Sequence, residues 1–181
     1  MARLPYAEPV SDEAAIVAQH VVEQRGELLH LYRMMLHSPP VCQGWLTYLT
    51  AIRQQCELPG AIREMVIMRI AHLNGAPYEA EQHAPLARAE GMSDAQIEAL
   101  NDWQGSSLFD ARQRAVLSYC DAMTRNVQVS DDAFATVREF FDERGVVELT
   151  ATIAAYSMVS RFLEALNIHS TDCISVGNIN V

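Results

Sequence analysis

The chain has 181 residues, of which 50% are hydrophobic, 20% are charged and four are cysteines. Its formal net charge of -10 and its lack of basic runs argue against nucleic acids and anionic membranes as partners. A chain of this length can bury a sizeable core without disulfides, so we expect a single domain over residues 1–181.

Nearly every long segment shows helical spacing of apolar residues, while the alternating β-branched clusters typical of strands are missing. The sequence therefore predicts an all-α bundle of about seven or eight helices. The first helix is expected after Ser11, a suitable N-cap, and to run to about residue 37, where SPP ends it, with a bend or break at Gly26. Further helices are predicted at about residues 43–56, 61–74, 77–91, 94–100, 108–126, 131–145 and 146–167.

The fourth of these helices opens at Pro77, which suits a first helical turn, and is expected to close at Gly91. Pro85 lies inside it and removes one backbone hydrogen bond, so we expect a kink there. The final helix is apolar on most of its circumference, as expected for an element covered by neighbours or by a partner subunit. The tail from residue 168 is expected to be less regular.

Three side chains form the best candidate for a reactive site. Glu79 and His83 are four residues apart on one helix, so they share a face. The short NGAP link folds this helix back on the preceding one, which brings Glu64 toward His83. A carboxylate beside an imidazole fixes its tautomer and raises its pKa, which suits acid/base chemistry near neutral pH. Helical Glu and His pairs are also common on solvated surfaces.

The four cysteines are far apart in sequence and form no CxxC or CxxH motif, which argues against redox and zinc sites; they are Cys42, Cys56, Cys120 and Cys173. Buried or free thiols fit a reducing compartment. The N-terminal residues MARLPYAEPV have no apolar core of the signal-peptide type, and charges interrupt the long apolar stretches. We therefore expect a cytoplasmic protein that neither enters nor crosses a membrane.

Three segments of the chain resemble a known family: LPGAIREMVIMRIAHLNGAPYEAEQHAPLARAEGMSDAQIEAL, LFDARQRAVLSYCDAMT and VVELTATIAAYSMVSRFLEALNI. The family they resemble is the carboxymuconolactone decarboxylase and alkylhydroperoxidase-D superfamily. The resemblance covers about residues 28–167 and implies a small, all-helical, oligomeric protein. In the peroxidase branch, two cysteines stand where this chain has Ala76 and Glu79, while its glutamate and histidine match Glu64 and His83. Neither alanine nor glutamate can attack a peroxide, so the resemblance is to the branch that lacks the redox motif.

The resemblance to the lactone decarboxylases implies an enzyme that acts without metal or organic cofactor on a small molecule such as a carboxylated lactone. We assign His83 as the proton donor, Glu64 as its orienting partner, and Glu79 as a second carboxylate that tunes the imidazole or positions the substrate. Tyr78 is a further candidate for substrate binding. Arg161 could bind a substrate carboxylate, whereas ordinary surface ion pairs are expected for Arg63 and Arg69.

Several alternatives stay open at this point. A metal could be bound by Glu64, Glu79 and His83 together with His72. However, di-iron bundles use two Glu-x-x-His motifs, one from each of two helices, whereas this chain has a single Glu-x-x-x-His. The protein could be a non-enzymatic, oligomeric binder of small molecules, or a thiol-dependent peroxidase. The apolar last helix and the resemblance both point to a homo-trimer or hexamer.

Overall fold

The computed structural model describes residues 1–174, and within them it contains nine α-helices, one 3-10 helix and no strand. The all-α prediction is confirmed, although the described part of the chain has more helices than the seven or eight expected. The α-helices are α1 (Asp12–Arg25), α2 (His30–Met35), α3 (Pro39–Gln54), α4 (Gly60–Asn74), α5 (Pro77–Ala89), α6 (Asp94–Ala99), α7 (Ala111–Asn126), α8 (Asp131–Arg138) and α9 (Glu143–Leu166), and the 3-10 helix is Leu100–Gly105.

Two groups of residues are each compact. Of the described residues, the first group comprises 1–50 and 163–174, and the second comprises 51–162. The single domain expected from the sequence stays a prediction. The candidate site residues all lie in the second group.

In the first group, the helix predicted from Ser11 to about residue 37 is broken at Gly26, where the sequence predicted a bend or break. Ser11 does cap α1, its hydroxyl accepting from the Ala14 N–H, but the helix ends at Gly26, whose φ of 86° lies in the left-handed region. Glycine adopts this conformation without the steric cost other residues meet, so the chain turns there and α2 begins separately. Pro39 also begins α3 rather than ending a helix, because a first-turn N–H has no helical partner to lose.

The second group is built around α4, which packs against α5 and α7. Gly75, with φ of 62°, ends α4, and Pro77 opens α5 two residues later. This short turn folds α5 back along α4, as the NGAP segment predicted. α5 continues through Pro85 to Ala89, and Gly91, with φ of 96°, follows the C-cap residue Glu90, as predicted for a glycine that closes the helix.

The ends of the later helices depart from the predictions by a few residues. The capping boxes of Ser93 with Gln96 and of Asp110 with Gln113 fix the starts of α6 and α7. α7 therefore begins after Asp110 rather than at about residue 108. α8 ends at Arg138, and α9 begins earlier than expected, since the Asp142 carboxylate accepts from the Gly145 N–H in its first turn.

Arg69 is a structural residue and not the surface ion pair that we expected. Its side chain is 3% exposed and forms two hydrogen bonds of 2.6 Å to the Asp121 carboxylate. Its remaining donor reaches the carbonyls of Leu100 and Asn101, and Trp103 donates to the same carboxylate. This buried network joins α4, α7 and the 3-10 helix.

Glu148 of α9 fixes the loop that leads into α4. Its Oε2 accepts hydrogen bonds of 2.8 and 2.9 Å from the N–H groups of Glu57 and Leu58, and its Oε1 pairs with Arg144. No local sequence pattern predicts this contact, because it joins residues that are about ninety positions apart. The contact sets where α4, and therefore Glu64, begins.

α9 is the one helix of the described residues that is long and apolar enough to span a membrane by length and composition. However, 61% of its most apolar window is buried inside the protein. A mostly buried core helix of a soluble protein meets the same criteria, so length and composition alone do not assign a membrane span to α9.

Candidate active site

The structure brings Glu64 and His83 together in the interior of the second group. Nδ1 of His83 lies 2.7 Å from Oε2 of Glu64, and the two side chains are 10% and 1% exposed. Glu64 lies on α4 and His83 lies on α5, and the turn at Gly75 positions one opposite the other. The expected juxtaposition is therefore present, and the pair is not a solvated surface pair.

The hydrogen bond defines the tautomer of the imidazole. An ionised carboxylate can only accept a hydrogen bond. Nδ1 therefore carries the hydrogen and donates the hydrogen bond to Glu64. Nε2 is then the unprotonated nitrogen, and it has no hydrogen-bond partner among residues 1–174. This nitrogen is free to accept a proton from a bound molecule or from solvent.

Arg63 holds the other oxygen of Glu64. Its Nε lies 3.1 Å from Oε1 of Glu64, while its terminal nitrogen lies 3.1 Å from Oε1 of Glu90. Arg63 is 14% exposed and forms the expected ion pair at the surface, with Glu90, but it also forms an interior pair with Glu64 that the sequence did not predict. Both carboxylate oxygens of Glu64 thus have defined donors, which fixes the carboxylate plane that faces His83.

Tyr156 of α9 completes the support of the imidazole. The two rings meet edge to face, with centroids 5.1 Å apart and planes at 90°, and Tyr156 is 1% exposed. This geometry is a favoured arrangement for two aromatic rings. His83 is therefore held from one direction by a hydrogen bond and from another by an aromatic contact.

Burial lowers the pKa of His83 below its ordinary value, although the hydrogen bond and the charge of Glu64 raise it. Burial alone would raise the pKa of Glu64, but the hydrogen bond and charge of His83 and the neighbouring Arg63 bring it below 4.5. The expectation that the carboxylate would set the imidazole pKa is therefore wrong, because removal of the ring from water is the larger effect. In the resting protein the pair is a neutral imidazole beside a carboxylate.

Glu79 and Tyr78 are also interior residues, which the sequence did not determine. Glu79 is 2% exposed and Tyr78 is 4% exposed, both in the first turn of α5. Ala76, at the position of the first family cysteine, is 1% exposed. The roles given to Glu79 and Tyr78 stay predictions.

Arg161 and Arg53 differ in their exposure to solvent. Arg161 is exposed on α9 and has no hydrogen-bond or ion-pair partner within residues 1–174. Arg53, which the sequence analysis did not single out, lies partly buried in the last turn of α3, and its positive charge acts on His83. Nothing in its sequence position reveals this, because an arginine near a helix end is usually a solvated residue.

The cysteines and the histidines form no further reactive cluster in the part of the chain that the structure describes. All four cysteines are free, and burial raises the pKa of Cys42 to about 11 and that of Cys120 to about 12. Within residues 1–174, no group of three His, Cys, Asp or Glu side chains could hold a metal ion. Burial also lowers the pKa of His72, whose buried Nδ1 has no hydrogen-bond partner.

Comparison with known proteins relates this helical arrangement to one family. The model of the carboxymuconolactone decarboxylase family matches residues 39–122, which include Glu64 and His83. The uncharacterized protein YnjA of Escherichia coli K12 is 31% identical over 127 residues, which cover 69% of this chain and 66% of YnjA. The chain therefore matches about two thirds of the length of that relative.

Solved structures share the fold at low sequence identity. A peroxidase-related protein of Ralstonia eutropha JMP134 with an alkylhydroperoxidase AhpD core has a TM-score of 0.80 and 18% identity, covering 94% of this chain and 93% of that chain. The debrominase Bmp8, as a cysteine-to-alanine variant in complex with 2,3,4-tribromopyrrole, has a TM-score of 0.74 and 16% identity, covering 97% and 95%. The chain is similar to the carboxymuconolactone decarboxylase family over residues 39–122, and it shares its fold with the alkylhydroperoxidase AhpD core.

Proposed function

We propose that the protein is a lactone-acting decarboxylase that uses no cofactor and moves a proton through His83. The observation that carries this proposal is the buried contact of 2.7 Å between Nδ1 of His83 and Oε2 of Glu64. It leaves Nε2 as the one reactive nitrogen of a ring held in a defined orientation. Similarity over residues 39–122 to a family that is named for a decarboxylase supports the same reaction class.

The reaction requires one proton for each substrate. In a γ-carboxylated butenolide, breaking the bond to the carboxylate carbon releases carbon dioxide, and the bonding electrons enter the unsaturated lactone as a dienolate. His83 then delivers a proton from Nε2 to carbon, which restores a neutral lactone. Since the resting imidazole is neutral, it must first take this proton from solvent, and an anionic substrate beside it favours that step.

Glu64 and Arg63 act through His83 in this scheme. Glu64 keeps the proton of the resting ring on Nδ1 and stabilises the imidazolium that forms before proton delivery. Arg63 holds Glu64 in place through its contact of 3.1 Å. We assign Glu79 as the second carboxylate that tunes the ring or positions substrate, and Tyr78 as a substrate contact; their burial in the first turn of α5 supports both assignments.

The state of the cysteines weighs against thiol-dependent peroxidase activity. Attack on a peroxide needs a thiolate, and the raised pKa values of Cys42 and Cys120 keep both thiols protonated at neutral pH. Burial and the charge of Glu148 also raise the pKa of Cys56. A variant with all four cysteines replaced by serine should retain lactone turnover, and any peroxide consumption that survives in it would not be thiol chemistry.

We further propose that the protein works as a homo-trimer or hexamer in the cytoplasm. Val147 and Met158 of α9 are 66% and 38% exposed, which leaves apolar surface available for a second copy. The four free thiols fit a reducing compartment. Light scattering on the purified protein tests the assembly, and a monomer at micromolar concentration would contradict it.

Substitution of His83 by glutamine tests the proposed function. We expect the parent protein to release carbon dioxide from γ-carboxylated butenolides and His83→Gln to lose about 10²–10⁴-fold in rate with its helical content unchanged. His20→Gln is the matched control, because His20 lies on the exposed side of α1 and contacts Gln43. A parent that turns over none of a panel of carboxylated lactones would favour a non-enzymatic binder, and full activity in His83→Gln would end the proposal.

A further inference from the structure

Arg63 contacts Glu64 although the two residues are neighbours on α4. Consecutive residues of an α-helix point about 100° apart, so their side chains do not normally face each other. The contact of 3.1 Å between Nε of Arg63 and Oε1 of Glu64 therefore requires the arginine side chain to turn along the helix surface. A long side chain loses rotamer freedom in such a conformation, and a second contact stabilises it there.

Glu90 supplies this second contact from the end of α5. Its Oε1 lies 3.1 Å from a terminal nitrogen of Arg63, a different nitrogen from the one that contacts Glu64. The backbone of Glu90 is well defined, because its N–H donates to the Leu86 carbonyl and Gly91 follows with φ of 96°. The guanidinium is thus held between two carboxylates, one of them 1% exposed and the other 43% exposed.

The Glu90 carboxylate lies against Gly60, the first residue of α4. A Cβ added at Gly60 would overlap this carboxylate, so the glycine leaves the space that Glu90 occupies. The φ angle of Gly60 is not in the left-handed region, unlike those of Gly26, Gly75 and Gly91, so the backbone itself does not require a glycine here. α4 has no acidic residue in its own first turn, and the positive end of its dipole favours the charge of Glu90.

We propose that Glu90 is a positioning residue for the acid/base pair, which it supports by holding Arg63 against Glu64 and thereby Glu64 against His83. The four side chains form one line of contacts of 3.1, 3.1 and 2.7 Å from the protein surface to Nδ1 of the imidazole. This inference rests on the proposed function, in which the ring must keep a fixed orientation. Because Glu90 acts through other residues, its loss should lower kcat and leave KM unchanged.

Gly60→Ala tests the inference without removing a charge. The new methyl group displaces the end of a flexible side chain and not backbone, and alanine forms helices better than glycine, so the fold should persist. We expect kcat for lactone turnover to fall about three- to tenfold at unchanged KM. Gly44→Ala in α3 is the matched control, because nothing lies within 4 Å of a Cβ added there, and it should behave as the parent does.

Substitutions of Glu90 separate a shared role from two independent defects. Glu90→Ala should lower kcat as much as Gly60→Ala does, while Glu90→Gln keeps an oxygen that can accept from Arg63 and should retain part of the rate. Addition of Gly60→Ala to Glu90→Ala should cause no further loss, because no carboxylate is left for the methyl group to displace.

Hydrogen exchange at Nδ1 of His83 measures the positioning directly and requires no substrate. This hydrogen is donated to Glu64 in the interior, so NMR of the parent should show it exchanging slowly with water. We expect exchange to be about three- to tenfold faster in Gly60→Ala and in Glu90→Ala. It should stay at the parent rate in Gly44→Ala. Urea unfolding of Gly60→Ala should show no loss of stability, so a weakened fold would not explain the faster exchange.

Parent values of either kcat or the exchange rate in both Gly60→Ala and Glu90→Ala would overturn the inference. A further loss of kcat when the two substitutions are combined would also overturn it, since they would then act separately. The proposed function fails in a different way, through a parent without lactone turnover or through an active His83→Gln. In either case the exchange rate of the Nδ1 hydrogen alone decides whether Glu90 positions the pair.

Discussion

Replacement of Glu64 by glutamine should reverse the proton positions on His83. Glutamine presents one acceptor and two donors where the carboxylate presents only acceptors. Its oxygen can still accept from Arg63, but its amide then faces Nδ1 of His83 as a donor. The imidazole can satisfy that donor by moving its own proton to Nε2, which removes the free acceptor on which the proposed reaction depends.

Glu64→Gln and Glu64→Ala should differ in how much they lower the free energy of unfolding. In Glu64→Gln both hydrogen bonds persist without the negative charge of the carboxylate, so the free energy of unfolding should fall by only about 1–2 kcal/mol. Glu64→Ala leaves the buried donors of His83 and Arg63 without an acceptor, and should cost about 3–5 kcal/mol. The rate of lactone turnover should nevertheless fall by about 10²–10⁴-fold in both variants.

Two measurements check this prediction together. Urea unfolding gives the free energies, and the nitrogen chemical shifts of His83 distinguish a protonated Nε2 from an unprotonated one. We expect the parent to have its proton on Nδ1 and Glu64→Gln to have it on Nε2. The reasoning would be refuted by an unprotonated Nε2 in Glu64→Gln, or by a loss of stability in that variant as large as in Glu64→Ala.

Three further predictions follow from the same contacts. Asp121→Asn should lower the free energy of unfolding by about 3–5 kcal/mol in urea titration, because it breaks the buried bidentate pair with Arg69. Arg88→Gln at the surface is the control and should change the free energy of unfolding by less than about 0.5 kcal/mol. The free energy of unfolding should rise as the pH increases toward about 6.5, the ordinary pKa of histidine. The reason is that the pKa of His83 is lower in the folded than in the unfolded chain, so the unfolded chain binds more protons below that pH. His83→Gln should flatten this rise, and an unchanged slope would contradict the burial of a neutral imidazole. Glu148→Ala should cost about 2–4 kcal/mol, because it leaves two backbone N–H groups of the loop before α4 without their acceptor; an unaltered midpoint would show that the loop does not depend on this contact.

The pairing of Glu64 with His83 was predictable because it depends on local rules. Helical spacing, the glycine turn at Gly75 and Pro77 at the start of α5 together determine that two consecutive helices fold back on each other. The resemblance to a known family pointed to the same two residues. Capping residues such as Ser11 and Ser93 likewise marked helix starts that the structure contains.

The pKa shift of His83 and the positions of the arginines could not be predicted, because they depend on contacts between distant parts of the chain. The direction in which the pKa of His83 shifts follows from how deeply α4, α5 and α9 bury it, and spacing along one helix does not contain that information. The inward positions of Arg63 and Arg69 were missed for the same reason, since their acceptors Glu90 and Asp121 are remote in sequence.

Deuterium incorporation tests the central claim most directly. The parent protein is incubated with a γ-carboxylated butenolide in deuterated water, and carbon dioxide release is followed together with the deuterium content of the lactone product. We predict one deuterium on a ring carbon for each carbon dioxide released, and loss of both in His83→Gln while His20→Gln behaves as the parent does. Carbon dioxide release with deuterium incorporation at the parent rate in folded His83→Gln would contradict the account, because the proton would then reach the substrate by a route that does not involve His83.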